Sequence, residues 1–121
     1  VKANPNDSWA LFMRAASHHE KADYAAAVAD YTEHLKRLPG GTAALNNRGN
    51  ALVSLKEYDK AIEDYTAVLA ADPKYALAYS NRSNAWLGKK EYQKAVDDCD
   101  KALEIDPKYG VAHWYRARAL A

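Results

Sequence analysis

Apolar side chains return every three or four positions along most of this chain. Tyr58, Ala61, Ile62, Tyr65 and Leu69 are one such run, and the spacing is that of one face of an α-helix. The same pattern marks two stretches of helical length in each of three consecutive segments. First helices are expected at 8–21, 42–55 and 76–89, second helices at 24–37, 58–71 and 92–105. Short turns such as Lys56-Glu57 and Lys90-Glu91 separate them. Pro73 and Pro107 follow the second helices. Proline cannot continue a helix and pushes the residue before it out of the helical region, so each closes a unit and sets the angle of the next.

The segments are copies of one unit. Pro39, Pro73 and Pro107 stand 34 residues apart. The same step links Tyr24, Tyr58 and Tyr92; Ala27, Ala61 and Ala95; Leu35, Leu69 and Leu103; and Arg14, Arg48, Arg82 and Arg116. These columns divide a single domain, 1–121, into a lead-in and cap at 1–7, units at 8–41, 42–75 and 76–109, and an additional helix at 110–121. Small residues recur where paired helices must approach closely: Ala15 with Ala27, Gly49 with Ala61, Ser83 with Ala95.

In the middle unit Leu45, Gly49, Leu52, Ala61, Tyr65 and Pro73 follow an order of large, small, large, small, aromatic and proline. In period and in these positions the chain resembles the tetratricopeptide repeat family over residues 8–121. The resemblance implies an all-α, right-handed α-solenoid of antiparallel helix pairs, three repeats plus one C-terminal helix, with the first helices lining a concave face. The family often has glycine at the turn within a repeat, where this chain has Ala22, Lys56 and Lys90. His18 and His34 also stand at positions that are usually apolar or small.

The two ends differ. The face of a first helix that meets the preceding unit reads Ala44, Ala51 and Leu55 in the second unit, but Ala10, Ser17 and Lys21 in the first. The polar set suits an end exposed to water, and Asn6, Asp7 or Ser8 is expected to cap the first helix. The last helix has an open side of His113, Ala117 and Leu120. It is either a cover for Cys99, Ala102 and Leu103, the first helix of a fourth unit, or a surface that pairs with a second chain. Continuation of the natural protein is the favoured reading.

Along the concave face the centre is rich in amides: Asn46, Asn47 and Asn50 from the second unit, Asn81 and Asn84 from the third. A carboxamide offers one acceptor and two donor hydrogens, so rows of asparagine can grip the backbone of an extended peptide. Asparagine is also a mediocre helix residue, which favours a use for these five over a merely solvated face. Trp9 and Phe12 at one end, and Trp114 and Tyr115 at the other, are candidate anchors, and Met13 and Arg118 lie on the same face as further peptide-binding candidates. The alternative for the aromatic residues is self-association. The third unit, with Asn81-Arg82-Ser83 and Asp98-Cys99, is similar to the repeats of co-chaperones, which hold a chaperone's C-terminal carboxylate between lysines, asparagines and an arginine. Asn50 and Asn81 match the asparagines. Asn46 and Val111 stand at the lysine positions and Tyr115 at the arginine position. Without those cations the charge-assisted hydrogen bonds to a carboxylate are lost, and strong binding of such acidic tails is not expected.

Composition adds exclusions. The net charge is +1 and the basic residues are scattered, so no nucleic-acid partner is expected. No apolar run approaches a membrane span, and no membrane partner is expected. No phosphate loop, HExxH, GxSxG or CxxC occurs, and no cofactor, metal site or catalytic residue is expected. His18 and His19 are adjacent and point to different sides of a helix, while His34 and His113 fall at packing positions. Cys99 occupies the aromatic slot of Tyr31 and Tyr65 and reads as a buried thiol. The arginine column reads as stems packed between helices with their heads in water. Asp30, Asp64 and Asp98 read as outer-surface carboxylates, and Glu33 with Arg37 and Asp97 with Lys101 as surface pairs. The compartment is left open, with a cytoplasmic setting slightly favoured. The expected function is a protein-interaction scaffold whose groove holds a peptide of unknown identity. The alternatives are an oligomerisation module that self-associates through its C-terminal helix or groove ends, and a regulatory segment of a larger protein.

Overall fold

The computed structural model describes residues 5–38 and 41–120, with side chains from residue 10 onward. Among the described residues the chain forms seven helices: α1 (Pro5–Glu20), α2 (Tyr24–Arg37), α3 (Thr42–Ser54), α4 (Tyr58–Ala71), α5 (Ala76–Gly88), α6 (Tyr92–Ile105) and α7 (Gly110–Leu120). No strand occurs among them. Consecutive helices pack as pairs, α1 on α2, α3 on α4 and α5 on α6, and α7 lies against α6. The first helices also touch one another in sequence, α1 to α3, α3 to α5 and α5 to α7, so they share one face of the array. The second helices occupy the residues that the apolar pattern assigns them. At the other end of the chain α1 starts at Pro5, a favoured first position for proline. Asn6, Asp7 and Ser8 therefore lie within the helix and do not precede it as a cap.

Each first helix is closed by the same device. The amide of Asp23 donates to His18 O at 2.8 Å and that of Ala22 to His19 O at 3.0 Å. The bonds recur as Glu57 to Leu52 and Lys56 to Val53, then as Glu91 to Trp86 and Lys90 to Leu87. This crossed pair satisfies two of the orphan carbonyls at a helix end and requires one left-handed residue. Ala22, Lys56 and Lys90 supply it, at φ 62°, 63° and 63°, without the glycine that normally makes this conformation cheap. The second helices α4 and α6 end differently. Asp72 and Asp106 turn extended, and each accepts from the amide two residues on, Lys74 at 3.2 Å and Lys108 at 3.1 Å. That side-chain turn carries the chain past its proline.

The core is built from small residues at helix crossings and large ones between them. Ala15, Ala27, Ala61 and Ala95 are fully buried, as are Ala44, Ala51, Ala78, Ala85 and Ala112 on the faces between units. Tyr31, Tyr65 and Val68 fill the space they leave. Gly49 admits Tyr65: a Cβ there would lie 2.6 Å from Cε1 of its ring. In the third unit Ser83 and Cys99 replace that glycine and tyrosine, with Sγ 3.0 Å from Oγ. Cys99 is buried as expected, and burial pushes its thiol above the ordinary range. His34 is also buried, with its ring 5.3 Å from that of Phe12.

Polar packing departs from the sequence expectation. Asp30, Asp64 and Asp98 are buried, and each receives a two-pronged arginine. Nε and Nη2 of Arg14 reach Asp30 at 2.7 and 2.8 Å, those of Arg48 reach Asp64 at 2.8 and 2.7 Å, and those of Arg82 reach Asp98 at 2.7 and 2.8 Å. The arginine heads are thus bound in a ladder, and the carboxylates are not on the outer surface. A buried carboxylate needs such a partner, because stripping its water is otherwise too costly. Arg48 and Arg82 also reach backward, each donating through Nη1 at 3.1 Å to Thr32 and Thr66 of the preceding unit. Asp100 takes the place of those threonines at the end of the ladder and accepts from Nε of Arg116 at 2.8 Å. On the surface, Glu33 pairs with Lys36 and Lys101 with Glu104, rather than with Arg37 and Asp97. Asp97 accepts from Gln93. His113 is exposed, with Nε2 2.9 Å from Pro107 O.

Candidate functional site

Two adjoining clefts open along the shared face of the first helices. One is lined by Ala16, His19 and Glu20 of α1, Asn47 and Asn50 of α3, and Tyr31 behind them. The other is lined by His19, then Asn50, Val53 and Ser54 of α3, Asn81 and Asn84 of α5, and Tyr115 of α7. His19 and Asn50 belong to both, which joins them into one groove crossing four helices. Its second cleft encloses about 330 Å³, at the small end for a ligand pocket and suited to a peptide group with its side chain.

Of the sequence candidates, Asn47, Asn50, Asn81, Asn84 and Tyr115 come together here. Asn46 does not reach the surface. It is 4% exposed, and its Oδ1 accepts from Nδ2 of Asn81 at 3.1 Å, so it stands behind the groove wall. The hydroxyl of Tyr65 donates to Oδ1 of Asn50 at 2.5 Å. Tyr31 lines the first cleft with Asn47, and burial pushes its phenol up. Burial also raises the phenols of Tyr65 and Tyr115, so these hydroxyls stay neutral.

The aromatic candidates are divided. Phe12 is partly buried and meets Tyr31 edge-on at 5.6 Å, a packing contact within the first unit. Met13 is 65% exposed and Trp114 56%. The Trp114 ring lies 5.2 Å from that of Tyr115, with the Arg118 guanidinium 4.9 Å above it. The side chain of Trp9 lies outside the described residues. His19 was missed by sequence reasoning although the spacing was there: Ala16 continues to His19 on the same helical face. Tyr31 and Tyr65 were assigned to the core, and nothing in the pattern shows that their hydroxyls reach the groove.

No lysine or arginine lines either cleft. Among the described residues no group of three or more His, Cys, Asp or Glu side chains is arranged to hold a metal ion. What the groove offers is neutral amides, one hydroxyl row behind them, and an imidazole beside Glu20.

The tetratricopeptide repeat family model matches residues 12–76 and 46–110. No curated protein matches the chain. Among solved structures, the TPR domain of Arabidopsis OM64 is similar at a TM-score of 0.89 and 25% identity, over 97% of this chain and 97% of that one. The TPR2B domain of yeast Sti1, in complex with pHsp70, is similar at 0.86 and 26% identity, over 93% and 95%. The second TPR domain of human RPAP3, in complex with the HSP70 peptide SGPTIEEVD, shares the fold at 0.91 and 19% identity, over 98% and 99%.

Proposed function

Because the chain belongs to the tetratricopeptide repeat family, we propose that it is an interaction scaffold whose groove holds an extended peptide segment of another protein. The observation that carries this reading is the amide row itself: Asn50, Asn81 and Asn84 from two helices meet in one cleft with Tyr115 and His19. Amide side chains give and accept hydrogen bonds as peptide groups do, and they recognise a backbone whatever its sequence. The Sti1 and RPAP3 domains, solved with chaperone peptides, support the same use of the fold.

The chemistry of the occupant differs from that of SGPTIEEVD. An acidic C-terminus needs cations for charge-assisted bonds, and the groove walls carry none. The segment held here is therefore internal and largely uncharged, with an apolar contact to Trp114 or Met13 at a groove end. A selection from displayed random peptides, run on the wild type and on an Asn50→Ala, Asn84→Ala variant, tests this. Enrichment by the wild type and its loss in the variant are expected; equal enrichment would sink the proposal. A SGPTIEEVD peptide is expected to bind more weakly than micromolar by calorimetry.

A second reading rests on α7. Val111, Trp114 and Leu120 are 44%, 56% and 61% exposed, more apolar surface than one short helix usually leaves in water. A mass by light scattering that rises with concentration, and falls back in Trp114→Ser, would favour contact between copies.

A further inference from the structure

We propose that Tyr65 is a positioning residue for the groove, fixing the Asn50 carboxamide as a donor while Asn46 fixes Asn81 as an acceptor, so that a bound backbone is read with one polarity. The inference rests on the peptide-binding reading and assigns a direction to it. A free carboxamide can rotate by half a turn and present either its oxygen or its nitrogen. Asn50 is held from this by the Tyr65 hydroxyl, which donates to Oδ1 at 2.5 Å. Both Nδ2 hydrogens are then left for the cleft. Asn81 is held the opposite way. Its Nδ2 donates one of its two hydrogens to the buried Oδ1 of Asn46 at 3.1 Å, which turns the nitrogen toward the wall and leaves the oxygen as the group free of that contact. The two residues line the same cleft, and a peptide group placed there gives its carbonyl to Asn50 and its N–H to Asn81.

The lock is specific to the middle unit, the one unit that has both a tyrosine and a carboxamide at the two positions. The Tyr65 ring is 1% exposed, and it reaches Asn50 because Gly49 has no Cβ to stop it: an added one would lie 2.6 Å from Cε1 and 2.8 Å from Cζ. In the first unit Ala15 stands at that position and Ala16 at that of Asn50, so Tyr31 has no carboxamide of its own unit to turn and lies in the groove lining with Asn47 of the next unit. In the third unit Cys99 replaces the tyrosine, with its sulfur against Ser83, so no phenol turns Asn84.

The test compares Tyr65→Phe, Asn50→Ala and the double variant. Tyr65→Phe keeps the buried ring and removes only the hydroxyl. The probe is a displayed library of random dodecapeptides with blocked C-termini, read as enrichment relative to the wild type. The expected result is a loss of about tenfold in Tyr65→Phe, the scale of one hydrogen bond. The double variant should lose no more than Asn50→Ala alone. Losses that multiply, or a Tyr65→Phe protein that binds as the wild type does, would overturn the proposal. A ligand-free arm separates it from the reading it rests on. The side-chain amide proton resonances of Asn50 should move in Tyr65→Phe, and again in Gly49→Ala, where the ring is displaced. If they stay in place, the positioning role is refuted whatever the peptides do. If they move while Asn50→Ala leaves enrichment unchanged, the positioning stands and the peptide-groove reading fails.

Discussion

Ala22, Lys56 and Lys90 hold a conformation that costs a side chain energy at three equivalent turns. A β-carbon in the left-handed region crowds the following carbonyl, at roughly 1–2 kcal/mol. The crossed hydrogen bonds at each turn offset that cost, but glycine would make them without it. Lys56→Gly is therefore expected to stabilise the fold by up to about 1 kcal/mol after its greater unfolded-state freedom is counted. A urea-melt midpoint that fails to rise would show that the Lys56 side chain contributes something unseen. Tyr65 and Cys99 show the same logic of paired sizes. Cys99→Tyr alone overfills a site walled by Ser83, and overpacking of this kind costs about 1–3 kcal/mol. The Ser83→Gly, Cys99→Tyr double variant should recover most of the loss, because it copies the Gly49–Tyr65 pair.

At the scale of helices, the Arg–Asp ladder ties each first helix to its own second helix. Its rungs are not equal. Asp98 accepts from Arg82 twice and from the Trp86 indole at 3.0 Å, and Arg82 is only 20% exposed. Arg14 is 62% exposed. Asp98→Ala should cost about 2–3 kcal/mol by chemical denaturation, since it strands a charge and an indole, and Asp30→Ala less than about 1. Equal costs would mean that the ladder contributes through packing alone. Asp30 also predicts an acid response. Hydrogen bonds from Arg14 hold its carboxyl below the usual range, against the opposing effect of burial. A folded value below the unfolded one means full benefit above about pH 4, and loss as the pH falls through the lowered value. Asp30→Asn should flatten the fall in urea midpoint below that pH. The helices and their pairing were legible in the sequence, because apolar spacing and the proline ruler are local signals. The ladder was not read, although Arg14, Arg48 and Arg82 and Asp30, Asp64 and Asp98 keep the same period. Reading each residue's polarity separately put both columns in water, and the constant offset of sixteen could not correct that, because any two columns of a repeat keep one whether or not they touch. The groove amides were found by the same periodicity. Their orientation was not, because it depends on a hydrogen bond from a core tyrosine that no spacing along the chain reveals.

At the scale of the whole molecule, packing among the described residues runs between helices one or two apart in sequence, and none of them closes the array into a ring. Stability then resembles a sum of units and interfaces, and hydrogen exchange should be slowest in α3 to α5 and fastest in α1 and α7. Uniform protection would instead indicate one cooperative block. The α7 helix also shields the third unit. It packs on α6, which carries Cys99, and its Ala112 and Ala119 are buried. Cys99 should resist a thiol reagent in the native chain and react quickly once residues 110–121 are removed. The ladder has one more consequence, for how such a protein lengthens. Arg48 looks back to Thr32 and forward to Asp64, and Arg82 back to Thr66 and forward to Asp98. A duplicate of residues 42–75 inserted after the original would present its arginine to Thr66 and a second threonine to Arg82, and every bond would recur. A duplicate of 76–109 would set its arginine against Asp100 in place of a threonine, so the backward bond would change in kind. The middle unit is thus the cassette that gene duplication can copy without repair, and each copy would lengthen the groove by one row of amides.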